Sequence, residues 1–193
     1  MRPSFVEQRA MIPMKLDVPV WSLSTLNADS TTNMNIVTYA TQVGIKPHPV
    51  YAISLYKGTV SHSNFIRNGW GALQLLPSSA SCSVPLLGKQ SGRDVNKMKC
   101  LEELGVPLST LGIGREMPVG RESLQIIRDS PMILIAEYRS SEYAAMDVGD
   151  HEVMLCEIVD SRGASSSDTD RQDSTTSEVP YLTTQLLRSM NII

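Results

Sequence analysis

From residue 20 the chain reads VWSLSTL, with apolar and hydroxyl side chains alternating, which predicts a half-buried strand over 20–26. A polar turn at 27–32 leads to a second strand over 35–43. A turn holding Pro47, His48 and Pro49 then precedes a third strand over 50–56. Residues 59–68 predict a short helix with Phe65 and Ile66 turned inward, ended by Gly69. WGALQLL is a fourth strand over 70–76, stopped by Pro77. Small residues make a loop of 78–83, and Leu86, Leu87 and Gly88 lead into a polar turn. Asp94 is placed to cap a helix over 95–104, where Met98, Leu101 and Leu104 recur at helical spacing as core residues.

Residues 107–120 read as irregular. Two strands follow within 123–143, broken at Asp129, Ser130 and Pro131; the run ILIAEY alternates too little for an edge and predicts a central strand. EVMLCEIVD, 152–160, is a further strand. Residues 161–178 are low in complexity and rich in Ser and Thr, which predicts a flexible solvated loop, and 181–193 reads as a helical tail. Strands outnumber helices, so the expected fold class is mainly β: a β-barrel with a few short helices. Residues 1–16 form an N-terminal arm, and 17–193 a single domain.

Composition narrows the function classes. The 193 residues hold 41% hydrophobic and 19% charged side chains with a net charge of −3, ordinary for a globular domain and without the basic excess of a nucleic-acid binder. Cys82, Cys100 and Cys156 have neither zinc nor disulfide spacing and read as reduced thiols, Cys156 in the core and Cys82 in an exposed loop. No apolar run has membrane-spanning length, and the first 17 residues lack the apolar stretch of a secretory signal, so the expected location is cytoplasmic. GIGREMPVG lacks the third glycine of a dinucleotide fingerprint and follows no apolar strand. There is no GxSxG elbow, and the cluster Asp147, Asp150, His151, Glu152 has no second His or Cys to make a metal site.

The stretch most suggestive of chemistry is the hydroxyl-rich turn with Lys57, Thr59, Ser61 and Ser63. Hydroxyls at a helix start either cap the helix or, with its free N–H groups, receive an anion.

The order of elements over 33–76 resembles the flavin reductase-like family. The matching features are Asn35 and Thr38 in one strand, the Pro47/Pro49 turn, the apolar strand, the Thr59–Ser63 turn and Gly69 before the next strand. Ser91-Gly92 followed by Lys97, and Gly149-Asp150-His151 before a strand, extend the resemblance over most of the chain. The resemblance implies an FMN-binding split barrel, a homodimer, and NAD(P)H as electron donor. It implies ring and ribityl contacts from Asn35, Thr38, Tyr39, Ala40 and Thr41. It implies phosphate contacts from Lys57, Thr59, Ser61 and Ser63, with Ser91 and Lys97 adding to the phosphate pocket.

His151 is implied near the flavin or nicotinamide, where it would orient the reductant; the other reading is a turn that fixes the following strand. His62 is either a phosphate contact or a surface residue, and His48 an exposed turn residue. The implied activity is hydride transfer from NAD(P)H to FMN, with the chemistry carried by the cofactor. Three positions depart from the family pattern, Ala40 for a hydroxyl residue, Gln74 for Asn and Gly71 for an aromatic, and bear on the ring contacts; Ala40 and Gln74 favour the alternative of a non-catalytic flavin-binding or interaction protein.

Overall fold

A computed structural model describes residues 16–112, 120–163 and 180–193. Residues 1–15 of the expected arm, 113–119 of the expected irregular stretch and 164–178 of the expected loop lie outside the described residues. The strands are β1 (Trp21–Leu26), β2 (Thr32–Val37), β3 (Ala40–Gly44), β4 (Val50–Tyr56), β5 (Trp70–Leu75), β6 (Leu108–Thr110), β7 (Gln125–Ile127), β8 (Met132–Tyr138), β9 (Met146–Asp147) and β10 (His151–Gly163). The helices are α1 (Val60–Asn68), α2 (Val84–Lys89), α3 (Lys97–Glu103) and α4 (Thr184–Ser189).

One antiparallel sheet runs in the order β2-β1-β5-β8-β10-β4-β3, with β9 on β10. Its two outer members, β2 and β3, are joined by only Thr38 and Tyr39. Two residues span no more than about 10 Å, so the sheet must curl until its edges nearly meet. The result is the expected barrel, and the seam explains a difference from the sequence reading. The single strand expected over 35–43 is two strands, because the chain leaves one edge and joins the other at Thr38–Tyr39. The Tyr39 carbonyl accepts from Ser54 N–H of β4 at 2.9 Å and holds that crossing.

The barrel interior packs Trp21, Leu23, Val37, Ile53, Leu73 and Met154, and Phe65 of α1 plugs one end, wholly buried. Gly71 leaves room for that plug: a Cβ there would lie 3.2 Å from the Phe65 ring and 2.9 Å from Ser24 O. Removing a buried Phe costs about 3–5 kcal/mol. Thr59 caps α1 by accepting from His62 N–H, and Gly69 ends it at φ 70°, as the sequence predicts. Ile66, expected inside, is exposed.

A second layer covers the outside of β1, β2 and β5. There α2, α3 and α4 pack Leu87, Met98, Leu101 and Leu187 on Met34 and Leu76. The β6–β7 hairpin adds Leu111, Leu124 and Ile126 against Ala72 and Ile135. Both faces of β1 are therefore covered, so Ser22 and Ser24 are buried rather than solvated. Gln74 is wholly buried; its amide donates to Ser24 Oγ at 2.7 Å and its carbonyl accepts from Ile127 N–H at 2.7 Å, tying the hairpin to the sheet.

The predicted central strand is β8, between β5 and β10. The loop expected at 78–83 is a short 3₁₀ helix, Ser78–Ser83, leading into α2. α3 is capped by Asn96, whose side chain accepts from Lys99 N–H, and not by Asp94. Strand β10 runs on through Ser161, Arg162 and Gly163, which pair with Leu134, Ile133 and Met132; the first residues of the expected loop are thus in the sheet. The helical tail is shorter than 181–193, since α4 covers Thr184–Ser189.

Candidate functional site

Four separated stretches meet around a hollow of about 510 Å³: Asn33 and Asn35 of β2, the turn before α1, the turn after α2, and the first residue of α3. Asn33 and Asn35 alternate with buried Met34, so the pleat of β2 turns both amides to this side. Thr59 and Ser61 line the hollow from α1. Ser61 is buried, and its Oγ accepts from the Asn33 amide at 2.8 Å, which leaves its own hydroxyl proton to donate. Thr59 Oγ1 donates to Tyr56 O at 2.9 Å while capping the helix. The first N–H groups of a helix have no acceptor within it, and α1 has no acidic residue in its first turn to offset their positive end.

Ser91 and Lys97 close the hollow opposite. Lys97 is 4% exposed. Its Nζ donates to Asn35 Oδ1 at 3.2 Å and to Leu87 O at 3.0 Å, leaving one of its three N–H donors. Burial pushes its pKa down to about 8, so the ammonium remains charged at neutral pH. Gly92 brings the loop hard against β2: a Cβ there would meet Asn33 Oδ1 at 2.1 Å. The hollow therefore gathers hydroxyl, amide and ammonium donors at a helix start, a donor set suited to a phosphate.

Strand β4 connects this hollow to a shallow, mostly apolar shelf of about 370 Å³. Tyr56 lines the hollow, while Ser54 and Ala52 line the shelf. Alternate residues of a strand share a face, so the two spaces follow one side of β4. Thr38, Tyr39, Ala40 and Thr41 border the shelf. His151 stands between the two spaces, its ring 5.6 Å from that of Tyr39 and 5.5 Å from that of Tyr56, both edge-on. Its Nδ1 lies 2.8 Å from Asp150 Oδ1, and that contact holds the Asp150 carboxyl below its usual pKa.

Other expected residues stand apart. Lys57 Nζ lies 2.9 Å from both oxygens of Asp147, and this pairing keeps the Asp147 carboxyl acidic. Ser63 is exposed and its hydroxyl turns back to Thr59 O at 3.3 Å. His62 Nε2 meets Glu152 Oε2 at 2.7 Å, and His48 is exposed in its turn. The sequence reading did not single out Asn33, Tyr56 or Arg93. The alternating NMN of β2 was the signal for Asn33; nothing local signals Arg93, which reaches the hollow only through the fold of its loop.

The chain matches the Flavin reductase like domain over residues 14–182. It belongs to the flavin reductase-like family. The fold of this flavin reductase-like chain is shared by solved structures of low identity. An FMN-binding protein from Thermus thermophilus, with bound 1-cyclohex-2-enone, has a TM-score of 0.64 at 15% identity, covering 85% of this chain and 81% of that one. Flavoredoxin from Methanosarcina acetivorans has a TM-score of 0.65 at 12% identity, covering 95% and 86%. The NADH:FAD oxidoreductase of Streptomyces globisporus, in complex with NAD and FAD fragments, has 0.59 at 14% identity, covering 77% and 76%. No curated protein sequence matches the chain.

Proposed function

We propose that this chain is an FMN-binding oxidoreductase that takes a hydride from NAD(P)H. The observation that carries the reading is the hollow at the start of α1, where Asn35, Thr59, Ser61, Ser91 and Lys97 meet from four segments of the sequence. All five belong to the set implied by the family resemblance. In this reading the phosphate takes the free N–H groups of α1, the Ser61 hydroxyl and the remaining N–H of Lys97. The ring lies along β4 toward the shelf, edged by Thr38, Tyr39, Ala40 and Thr41. Bound flavin supplies the hydride acceptor. The chain's own work is to hold the phosphate, set the ring against β4 and leave one face open. His151, fixed by Asp150 between two tyrosines, orients the nicotinamide. Lys57, paired with Asp147, acts at the rim through charge.

The alternative of a flavin binder without turnover rests on Ala40, which brings no hydroxyl to the shelf. Gln74 no longer supports it, because its amide is used in holding the β6–β7 hairpin. The exposed side chains of Tyr39, Val43 and Ile45 on and beside edge strand β3 are apolar cover suited to a second copy, so we place the dimer contact there. The test is reconstitution with FMN followed by its absorbance and fluorescence. A stoichiometric complex supports the reading; no binding at micromolar protein and FMN overturns it.

A further inference from the structure

Asn33 and Ser61 both line the hollow and both are buried, at 4% and 1% exposed. The Asn33 amide donates to Ser61 Oγ, and the Ser61 hydroxyl proton has no acceptor among the described residues. A hydroxyl oxygen engaged by an N–H turns its own proton away from that N–H, and a buried donor left without a partner is costly. Docking α1 does not require the Asn33–Ser61 bond. Asn64 donates to Thr25 Oγ1 at 3.2 Å and to Asn27 Oδ1 at 2.8 Å, Arg67 and Asn68 both donate to Leu26 O, and Phe65 fills the barrel end.

We propose that Asn33 is a positioning residue which, by fixing the direction of the Ser61 hydroxyl, makes the hollow select a fully ionised phosphate; this rests on the flavin reading above. Two neighbours are set the same way. Ser91 Oγ accepts from Arg93 N–H at 3.1 Å, and Asn35 Oδ1 accepts from Lys97 Nζ, so their acceptors are engaged and their own O–H and N–H donors remain. Thr59 adds no donor, because its hydroxyl accepts from His62 N–H and donates to Tyr56 O. Asp94, exposed, is the one carboxylate among the described lining residues. A phosphate dianion carries only acceptors and meets these donors without a conflict. The terminal hydroxyl of riboflavin brings a proton into the same space and no charge for Lys97, so the arrangement selects FMN over riboflavin. Gly92 keeps the amide in place: a Cβ there would stand 2.1 Å from Asn33 Oδ1 and displace it.

Calorimetry with FMN and with riboflavin tests this on wild type, Asn33→Leu, Gly92→Ala, Ser61→Ala, and each of the first two combined with Ser61→Ala. Asn33→Leu keeps the volume and removes the donor. Gly92→Ala moves the amide from a loop position, and so carries the test should Asn33→Leu fail to fold. Expected is FMN binding tighter than riboflavin in the wild type, and FMN weakened about tenfold in each single variant, the scale of one charge-assisted hydrogen bond. Riboflavin affinity stays at the wild-type value throughout. Because Asn33 acts through Ser61, neither Asn33→Leu nor Gly92→Ala weakens FMN further once Ser61 is alanine. Fully additive losses in the double variants overturn the proposal, since Asn33 would then act independently of Ser61. Equal losses for FMN and riboflavin overturn it in favour of a purely structural role, and unchanged FMN affinity in the folded variants overturns it outright. Equal wild-type affinities for the two flavins overturn it while flavin binding stands. No binding of either flavin to the wild type overturns the flavin reading itself, and the proposal with it.

Discussion

Replacing Lys97 with Met tests the phosphate site and the cost of building it together. The lysine is 4% exposed, and its pKa stands at about 8 against an ordinary 10.5. At about 1.36 kcal/mol per unit, that displacement corresponds to roughly 3 kcal/mol spent on keeping the ammonium charged inside the fold. The folded pKa is depressed, so the unfolded chain binds more protons between about pH 8 and 10.5. Stability contributed by this residue therefore rises with pH across that window. Below about 8 both states are protonated and the full cost is present; above about 10.5 it is gone. Met fills similar volume without the charge, but it leaves Asn35 Oδ1 and Leu87 O without their donor, at roughly 1–3 kcal/mol.

The two effects nearly cancel at pH 7, so the absolute stability of the variant is a poor guide and the slope is a good one. Chemical denaturation at fixed pH values from 7 to 10.5 should show wild type gaining about 3 kcal/mol relative to Lys97→Met. FMN affinity should fall in the variant by about tenfold or more, since a charge-assisted hydrogen bond contributes roughly 1.5–3 kcal/mol. The phosphate is already a dianion above pH 7. Wild-type affinity should consequently decline as pH rises past the lysine pKa, while that of the variant stays flat. A constant stability difference across the window, or wild-type FMN affinity in the variant, would refute the argument.

Two other perturbations probe the scaffold. Gln74→Leu should lower stability by about 1–3 kcal/mol, because Ile127 N–H loses a buried acceptor, and FMN affinity should not change; a selective loss of FMN would return Gln74 to the site. Cys156 is wholly buried and its thiol is pushed up to about 12, whereas Cys82 is exposed, so native-state alkylation should label Cys82 and spare Cys156 until unfolding; early labelling of Cys156 would contradict the packed interior.

Helix α1 was readable from the sequence because its limits are set locally, by the Thr59 cap and the left-handed Gly69. The split of 35–43 at Thr38–Tyr39 was not, since it follows from where the barrel closes, a property of all the strands together. β1 shows the limit of alternation: SLS reads as one wet face, but helices and a hairpin from later in the chain cover it. α2 was hidden by a Ser-rich approach and a Pro at its start. In the candidate site, Ser61, Ser91 and Lys97 were found by the resemblance in order, and the fold brings them to one hollow. Lys57 shows what order alone misses: it sits in the same turn, yet Asp147, ninety residues on, claims its ammonium. Arg93 reaches the hollow only because of how the loop after α2 lies on β2, which no local pattern specifies.

The most direct test of the account is anaerobic stopped-flow mixing of the FMN-reconstituted protein with NADH and with NADPH, for wild type and His151→Ala. The account predicts that the oxidised flavin band bleaches with at least one of the two donors. It also predicts that His151→Ala still binds FMN but bleaches at least tenfold more slowly, the scale of a lost positioning contact. An oxidised spectrum unchanged by either donor in the wild type would contradict the oxidoreductase reading, and equal rates in the two proteins would remove His151 from it.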